Sequence, residues 1–456
     1  MALMPPADAM FMVPESREQP MHVGSLQLFD LPKGSGPHFL RELYEQVVAE
    51  APVNPLFRRR AYRTPATLGQ WAWKDDDQVD IEHHVRHSAL PDPGRVRELL
   101  ALTSRLHGSL LDRKRPLWEA HLIEGLEGKR FAIYTKLHHA LMDGVSGMRM
   151  GQTALSTDPN SRDATMPWAV VPKKRSAKSG SGALSPLFLP KALLNATTDA
   201  VGLVPTVARL ANEGLRSQAT ALPLQAPRSI LNVAITGSRR FAAESWSLPR
   251  IRKIGKAADA TINDVVLAMC SGALRAYLQE LEALPESPLI AMTPVSLRTD
   301  DSAEPGNATG TILCNLATDI EHPGARLVAI RASMLAGKKT LRGLNQTQAS
   351  ALSAVMMAPL LINSMMALHR FSPPAFNLVI SNVPGSKEAL YWNGAKQTGI
   401  YPLSIPTDGQ ALNITLTSYD GQLHFGLVGC RRSVPHLQRL LGHLEDSLQA
   451  LEKAVL

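Results

Sequence analysis

Aromatic residues are scarce in this chain. Phe, Trp and Tyr make up 5% of 456 residues, and Asp, Glu, Lys and Arg only 19%. That argues against a dedicated nucleic-acid binder, which combines a dense basic surface with stacking side chains. Cysteine is nearly absent. Cys270, Cys314 and Cys430 lie far apart, which excludes a disulfide scaffold and any CxxC metal site and suits a reducing compartment. The opening MALMPPADAMFMVPESREQP lacks a basic stretch followed by a long apolar one, so no secretory signal is expected. Long hydrophobic runs are missing too. The greasiest charge-free stretch, 344–368, is broken by Ser353, Pro359, Asn363 and Ser364. A span wants about 20 predominantly apolar residues, so a core helix or one lying on a lipid interface is expected here. What is present is ordinary for a folded protein: 45% hydrophobic residues and charges of both signs. The length exceeds what one core usually supports, so two domains are expected. A net charge of +8 fits anionic small substrates or an anionic membrane surface.

Periodicity gives a mixed α/β first half. HVGSLQLFDL (22–31) alternates like a strand, while 38–51 and 97–111 carry helical spacing. Residues 121–141 read as a hairpin turning at Glu127-Gly128. After Trp168 the composition changes. PKKRSAKSGSGALSP (172–186) reads as a flexible basic linker, and 187–215 as short helical pieces broken at Pro190 and Pro205. Regular α/β patterning resumes near residue 228. The expected organisation is therefore a domain at 1–171, a crossover at 172–227 and a second domain at 228–456.

The sharpest chemical feature is His138-His139-Ala140-Leu141-Met142-Asp143-Gly144, at the end of the strand RFAIYTKL. Neighbouring side chains on a strand point to opposite faces. One histidine therefore faces the chemistry and the other packs behind it. A His pair alone says little, because His83-His84 forms another. Metal binding would need three or four ligands at regular spacing, and no HExxH or Cys/His cluster exists. A Ser-His-Asp hydrolase would want a GxSxG elbow, and Gly144-Val145-Ser146-Gly147 lacks that spacing. The remaining reading is a histidine general base, with a pKa suited to removing a hydroxyl proton as that oxygen attacks an activated acyl group.

HHALMDG matches the HHxxxDG motif of the CoA-dependent acyltransferase superfamily. With ESREQPMHVG (15–24), RPLWEAHLIEGL (115–126), INDVVLAMCSGALR (262–275), ISNVPGS (380–386) and ALNITLTSY (411–419), the chain resembles the bacterial wax ester synthase/diacylglycerol acyltransferase family over nearly its whole length. The resemblance implies an α/β fold of two chloramphenicol-acetyltransferase-like domains with an active-site tunnel between them. It implies transfer of a long-chain acyl group from acyl-CoA to a fatty alcohol or diacylglycerol, with no covalent intermediate. Acyl-CoA is then a substrate, and neither cofactor nor metal is called for.

By the same resemblance His139 is the base and His138 supports the geometry. Asp143, with Gly144 beside it, holds the loop, and Arg298 is the expected partner of Asp143. Asn263-Asp264 is the family's ND pair. Asn263 is a favoured N-cap for the helix that follows, and equally a candidate oxyanion donor near a positive helix end. Trp118 of Pro116-Leu117-Trp118 is expected to pack under the site, and Asn382 of the NVPG turn to flank the substrate tunnel. His22 or Glu15 could face the acceptor, although such a strand start more often packs, and Gly306-Asn307 belongs to a family segment with no assigned chemistry. Peripheral association with the inner membrane face or lipid inclusions in the cytoplasm is the expected location. A condensation-type enzyme acting on another alcohol or an amine, or a non-catalytic lipid-binding protein on this fold, are the competing readings.

Overall fold

The structure is a computed structural model that describes residues 2–49, 54–162, 165–170, 220–296, 309–342, 344, 346–365 and 372–456. The elements used below are, in chain order, β1 (His22–Asp30), α1 (Phe39–Ala49), β2 (Val85–Ala89), α2 (Val96–Gly108), β3 (Trp118–Leu126), β4 (Arg130–His138), α3 (Gly144–Thr153) and β5 (Arg239–Ser247). They continue with α4 (Ile262–Glu280), β6 (Ile290–Ser296), β7 (Thr309–Asn315), α5 (Pro323–Arg342), α6 (Gln346–Met365) and β8 (Leu378–Val383). The last are β9 (Tyr391–Trp392), β10 (Ala395–Leu403), β11 (Leu412–Tyr419) and β12 (Gln422–Cys430).

The chain forms two compact units built from discontinuous segments. The first comprises Met1–Pro172, Ala234–Arg250 and Asn382–Leu441, and the second Lys173–Val233, Ile251–Ser381 and Gly442–Leu456. The basic linker, the pieces around Pro190 and Pro205, Gly306-Asn307 and Arg298 lie outside the described residues.

In the first unit a six-stranded sheet runs β9-β10-β1-β4-β3-β2. All its neighbours are antiparallel except β2 and β3. The hairpin expected at 121–141 is β3 and β4. Its turn closes where Gly128 (φ +78°) and Lys129 (φ +56°) adopt the left-handed backbone that a tight reversal needs. Helix α1 buries Leu40, Leu43 and Val47, one face at helical spacing, into a cluster with Phe131, Ile133, Trp118 and Trp168. Helix α2 buries Leu99, Thr103, Ser104 and His107 and packs on β5, where Ser104 Oγ accepts the Phe241 N–H at 2.9 Å. Strands β5, β12 and β11 form a second antiparallel run. Close strand packing requires Gly24 in β1, where a Cβ would sit 2.9 Å from the Thr135 carbonyl oxygen.

In the second unit β7 pairs antiparallel with β6, and β8 joins β6 in parallel. Helix α4 is buried almost all round its middle, from Val265 to Ser271. The charge-free run beginning at 344 forms α6 over Gln346–Met365, with Pro359 inside it. No helix among the described residues is long and apolar enough to cross a membrane. The three cysteines are free and buried.

Candidate active site

Strand β4 sets the site. Its last residue, His138, lies opposite His22 of β1, and its N–H donates to the Leu117 carbonyl at 3.0 Å. The next residue, His139, donates its N–H to the Met21 carbonyl at 2.9 Å. The PMHVG and PLW segments are therefore the two rails that grip the histidine pair by its backbone. That is a tertiary reason for three motifs distant in sequence to occur together.

The two histidines differ in burial. His138 is fully buried. Its Nδ1 accepts the Ala140 N–H at 3.0 Å, which places the ring proton on Nε2, 3.2 Å from Glu15 Oε1. That carboxylate oxygen also accepts the Met21 N–H at 3.2 Å, and Oε2 takes Arg113 at 2.7 Å. Burial opposes ionisation of Glu15, but His138, Arg113 and the Met21 N–H together hold its carboxyl below the usual range. His139 keeps a partial opening to solvent. Phe11 stacks on its ring, with centroids 3.9 Å apart and planes at 20°. Burial pushes the imidazole down to about 4 against the opposing pull of Asp143, so it is neutral and able to accept a proton at neutral pH.

Asp143 is the N-cap of α3. Its Oδ1 accepts the Ser146 N–H at 2.8 Å and its Oδ2 the Ser146 hydroxyl at 3.1 Å. It thus fixes where the loop ends and the helix begins, with Gly144 as first helical residue. The expected Asp143–Arg298 pair cannot be placed, since Arg298 falls outside the described residues. Trp118, at the start of β3, is buried. It stacks on Trp168 at 4.8 Å and His84 at 4.5 Å, and its Nε1–H donates to the Phe57 carbonyl at 2.9 Å. Asn382 sits half-buried on β8, one residue before Val383. Val383 packs with Met148 of α3, Ile400 and Tyr419, and a Cβ on Gly385 would meet the Ser418 carbonyl at 2.2 Å, so the NVPG turn is pressed onto this layer.

One expectation is corrected. Asn263 does not cap α4; Thr261 does, with φ −76° and ψ 160°, and Asp264 completes a reciprocal capping box. Asp264 Oδ2 accepts the Thr261 N–H at 2.9 Å, while Thr261 Oγ1 accepts the Asp264 N–H at 3.2 Å. The shorter, oxygen-bearing threonine one position before the helix outcompetes an asparagine already inside its first turn. Asn263 is left half-buried in that turn, with no side-chain hydrogen bond among the described residues. His22 does not face an open site either: it is buried, and its Nε2 meets the His107 carbonyl at 2.8 Å.

Sequence reasoning missed Arg113 and Phe11. Neither carries a motif signature by itself, and both act through contacts with residues far along the chain.

Residues 4–266 match the family model of the wax ester synthase/diacylglycerol acyltransferase catalytic domain, and residues 305–452 that of its C-terminal domain. The chain belongs to the wax ester synthase/diacylglycerol acyltransferase family. It is an acyltransferase. It is 53% identical to a putative diacylglycerol O-acyltransferase of Mycobacterium bovis and to a probable one of Mycobacterium tuberculosis, over the full length of each. Among solved structures it is similar to a wax ester synthase/diacylglycerol acyltransferase from Marinobacter aquaeolei, at 41% identity and TM-score 0.78, with both chains covered completely. The first condensation domain of the calcium-dependent antibiotic synthetase matches at 16% identity and TM-score 0.60, covering 99% of this chain and 95% of that one, which shows a shared fold.

Proposed function

We propose that this family member transfers a long-chain fatty acyl group from acyl-CoA to diacylglycerol or a long-chain alcohol, with His139 as general base. The observation that carries the reading is the neutral, partly open His139 imidazole at the end of β4. Its free nitrogen takes the proton of the acceptor hydroxyl while that oxygen attacks the thioester carbonyl. The collapsing intermediate expels CoA thiolate, which recovers the proton from the imidazolium, so no acyl-enzyme forms and no cofactor is needed. Asn263 is the proposed donor to the developing oxyanion. The capping of α4 by Thr261 and Asp264, which leaves the Asn263 side chain out of the cap, supports that role.

The diacylglycerol O-acyltransferase names of relatives 53% identical favour diacylglycerol as acceptor. Such acceptors reside in lipid, which supports peripheral association with a membrane face or lipid inclusion. The net charge of +8 suits both that surface and the phosphates of CoA.

The test is CoA release by purified protein given palmitoyl-CoA with dipalmitoylglycerol, hexadecanol or hexadecylamine. Ester formation with diacylglycerol that disappears in His139→Ala is expected. Turnover undiminished in His139→Ala would remove the base assignment, and turnover with the amine alone would favour the condensation-type reading.

A further inference from the structure

We propose that Phe11 is a positioning residue for His139: its ring lies flat on the imidazole and sets the plane in which the histidine presents its nitrogen to the acceptor. The proposal rests on the reading of His139 as base. The hydrogen bond from the His139 N–H to Met21 fixes the backbone at this point. The ring also hydrogen-bonds to the residue's own backbone, and its tilt about that bond is left to whatever lies against the ring faces. Phe11 covers one face at 3.9 Å between centroids.

A positioning group must itself be held. The Phe11 N–H donates to the Asp8 carbonyl at 3.1 Å, and the Met12 N–H to that of Ala9 at 3.0 Å. Met12 is 1% exposed and packs in one cluster with Leu117, Ala140 and Leu141, the residues that flank the histidine pair. Arg113 donates to the Met12 carbonyl at 3.2 Å, and the same guanidinium holds Glu15, so the segment is tied to the carboxylate beside His138 as well. The anchor and the base therefore move as one packed body.

The stack also keeps water off one ring face, and burial is the largest cause of the low His139 value. Against burial, Asp143 and a hydrogen bond to the residue's own backbone pull the imidazole pKa up, and His138 pushes it down. Asp8 lies near Asp143, and burial and that neighbour push its carboxyl above the ordinary value. Removing the Phe11 ring leaves all these charges in place and admits water, so the His139 pKa should rise towards the ordinary value of about 6.5.

The experiment compares wild type, Phe11→Ala and Phe11→Tyr over a pH series with saturating diacylglycerol. In Phe11→Ala kcat is expected to fall about tenfold, with KM for palmitoyl-CoA within about twofold, because only the orientation of the base is lost. The acid limb of kcat/KM should move up by about one pH unit. Phe11→Tyr, which keeps a flat ring, should restore kcat and the limb. A KM effect alone would make Phe11 an acyl-chain contact and overturn the proposal. The His139 ring titration, followed by NMR of histidine-labelled protein and assigned with His139→Ala, reads the stack without reference to turnover. An unshifted titration in folded Phe11→Ala overturns the positioning role. Turnover surviving in His139→Ala overturns the base assignment instead.

Discussion

Glu15 Oε1 lies 3.2 Å from His138 Nε2, while its Oε2 lies 2.7 Å from Arg113. One carboxylate thereby ties the N-terminal segment to the end of β4 and to the loop before the PLW motif. The Glu15 side chain is 2% exposed, so removing it strands buried partners. Glu15→Ala is expected to cost about 2 kcal/mol in urea unfolding, moderated because Arg113 can reach water. Activity should fall with it. Glu15→Gln, which keeps an acceptor for the Met21 N–H, should recover part of the stability. An unchanged unfolding midpoint in Glu15→Ala would show that the tie does not bear on the fold.

Asp143 acts on α3 as a cap, and its substitution should separate capping from charge. Asp143→Ala should lose about 1 kcal/mol of stability and give less folded protein. Asp143→Asn should recover the stability, since asparagine caps as well, and its residual activity then reports what the charge does for His139. Normal thermal stability in Asp143→Ala would refute the capping role.

The capping box at Thr261 and Asp264 leaves the Asn263 side chain out of the cap of α4. Asp264→Ala is expected to lower stability by about 1 kcal/mol. Asn263→Ala should leave the melting temperature near wild type and lower kcat by roughly 10²-fold if it donates to the oxyanion. A kcat change under twofold would leave Asn263 without a catalytic role.

His84, His107 and His424 are each nearly inaccessible to solvent. Burial pushes their pKa values down to about 4, about 3 and about 4. Each is neutral in the folded state, whereas in the unfolded chain it takes a proton near pH 6.5. Stability should therefore be full above that pH and be lost as pH falls towards 4, by up to about 1.4 kcal/mol per pH unit for each histidine. Urea midpoints measured between pH 7 and 4.5 check the sign. A midpoint that rises on acidification would contradict it.

Lys136 is fully buried, with its ammonium donating to the carbonyls of Leu106 and Ser109 and 3.1 Å from Glu119. Against burial, His121, Lys136 and Arg86 hold the Glu119 carboxyl down at about 2. Glu119→Ala should cost about 3 kcal/mol or more in chemical unfolding by leaving that ammonium unpaired. Lys136→Met, which removes the buried charge along with its demand for partners, should cost less than Lys136→Ala.

Sequence alone determined the parts of this protein that are local. The alternation of 22–31, the helical spacing of 38–51 and the turn chemistry at Glu127-Gly128 reappear as β1, α1 and the β3–β4 hairpin, because each is set by residues close together in the chain. HHxxxDG was readable because its residues are contiguous. Tertiary structure decided what the motif residues touch. Nothing near Glu15 or Phe11 in the chain announces that one meets His138 and the other covers His139, since folding alone brings residues over a hundred positions apart together. It also decided between Thr261 and Asn263 as the cap of α4. Both side chains are competent, and the choice falls to the residue whose backbone is still extended where the helix begins.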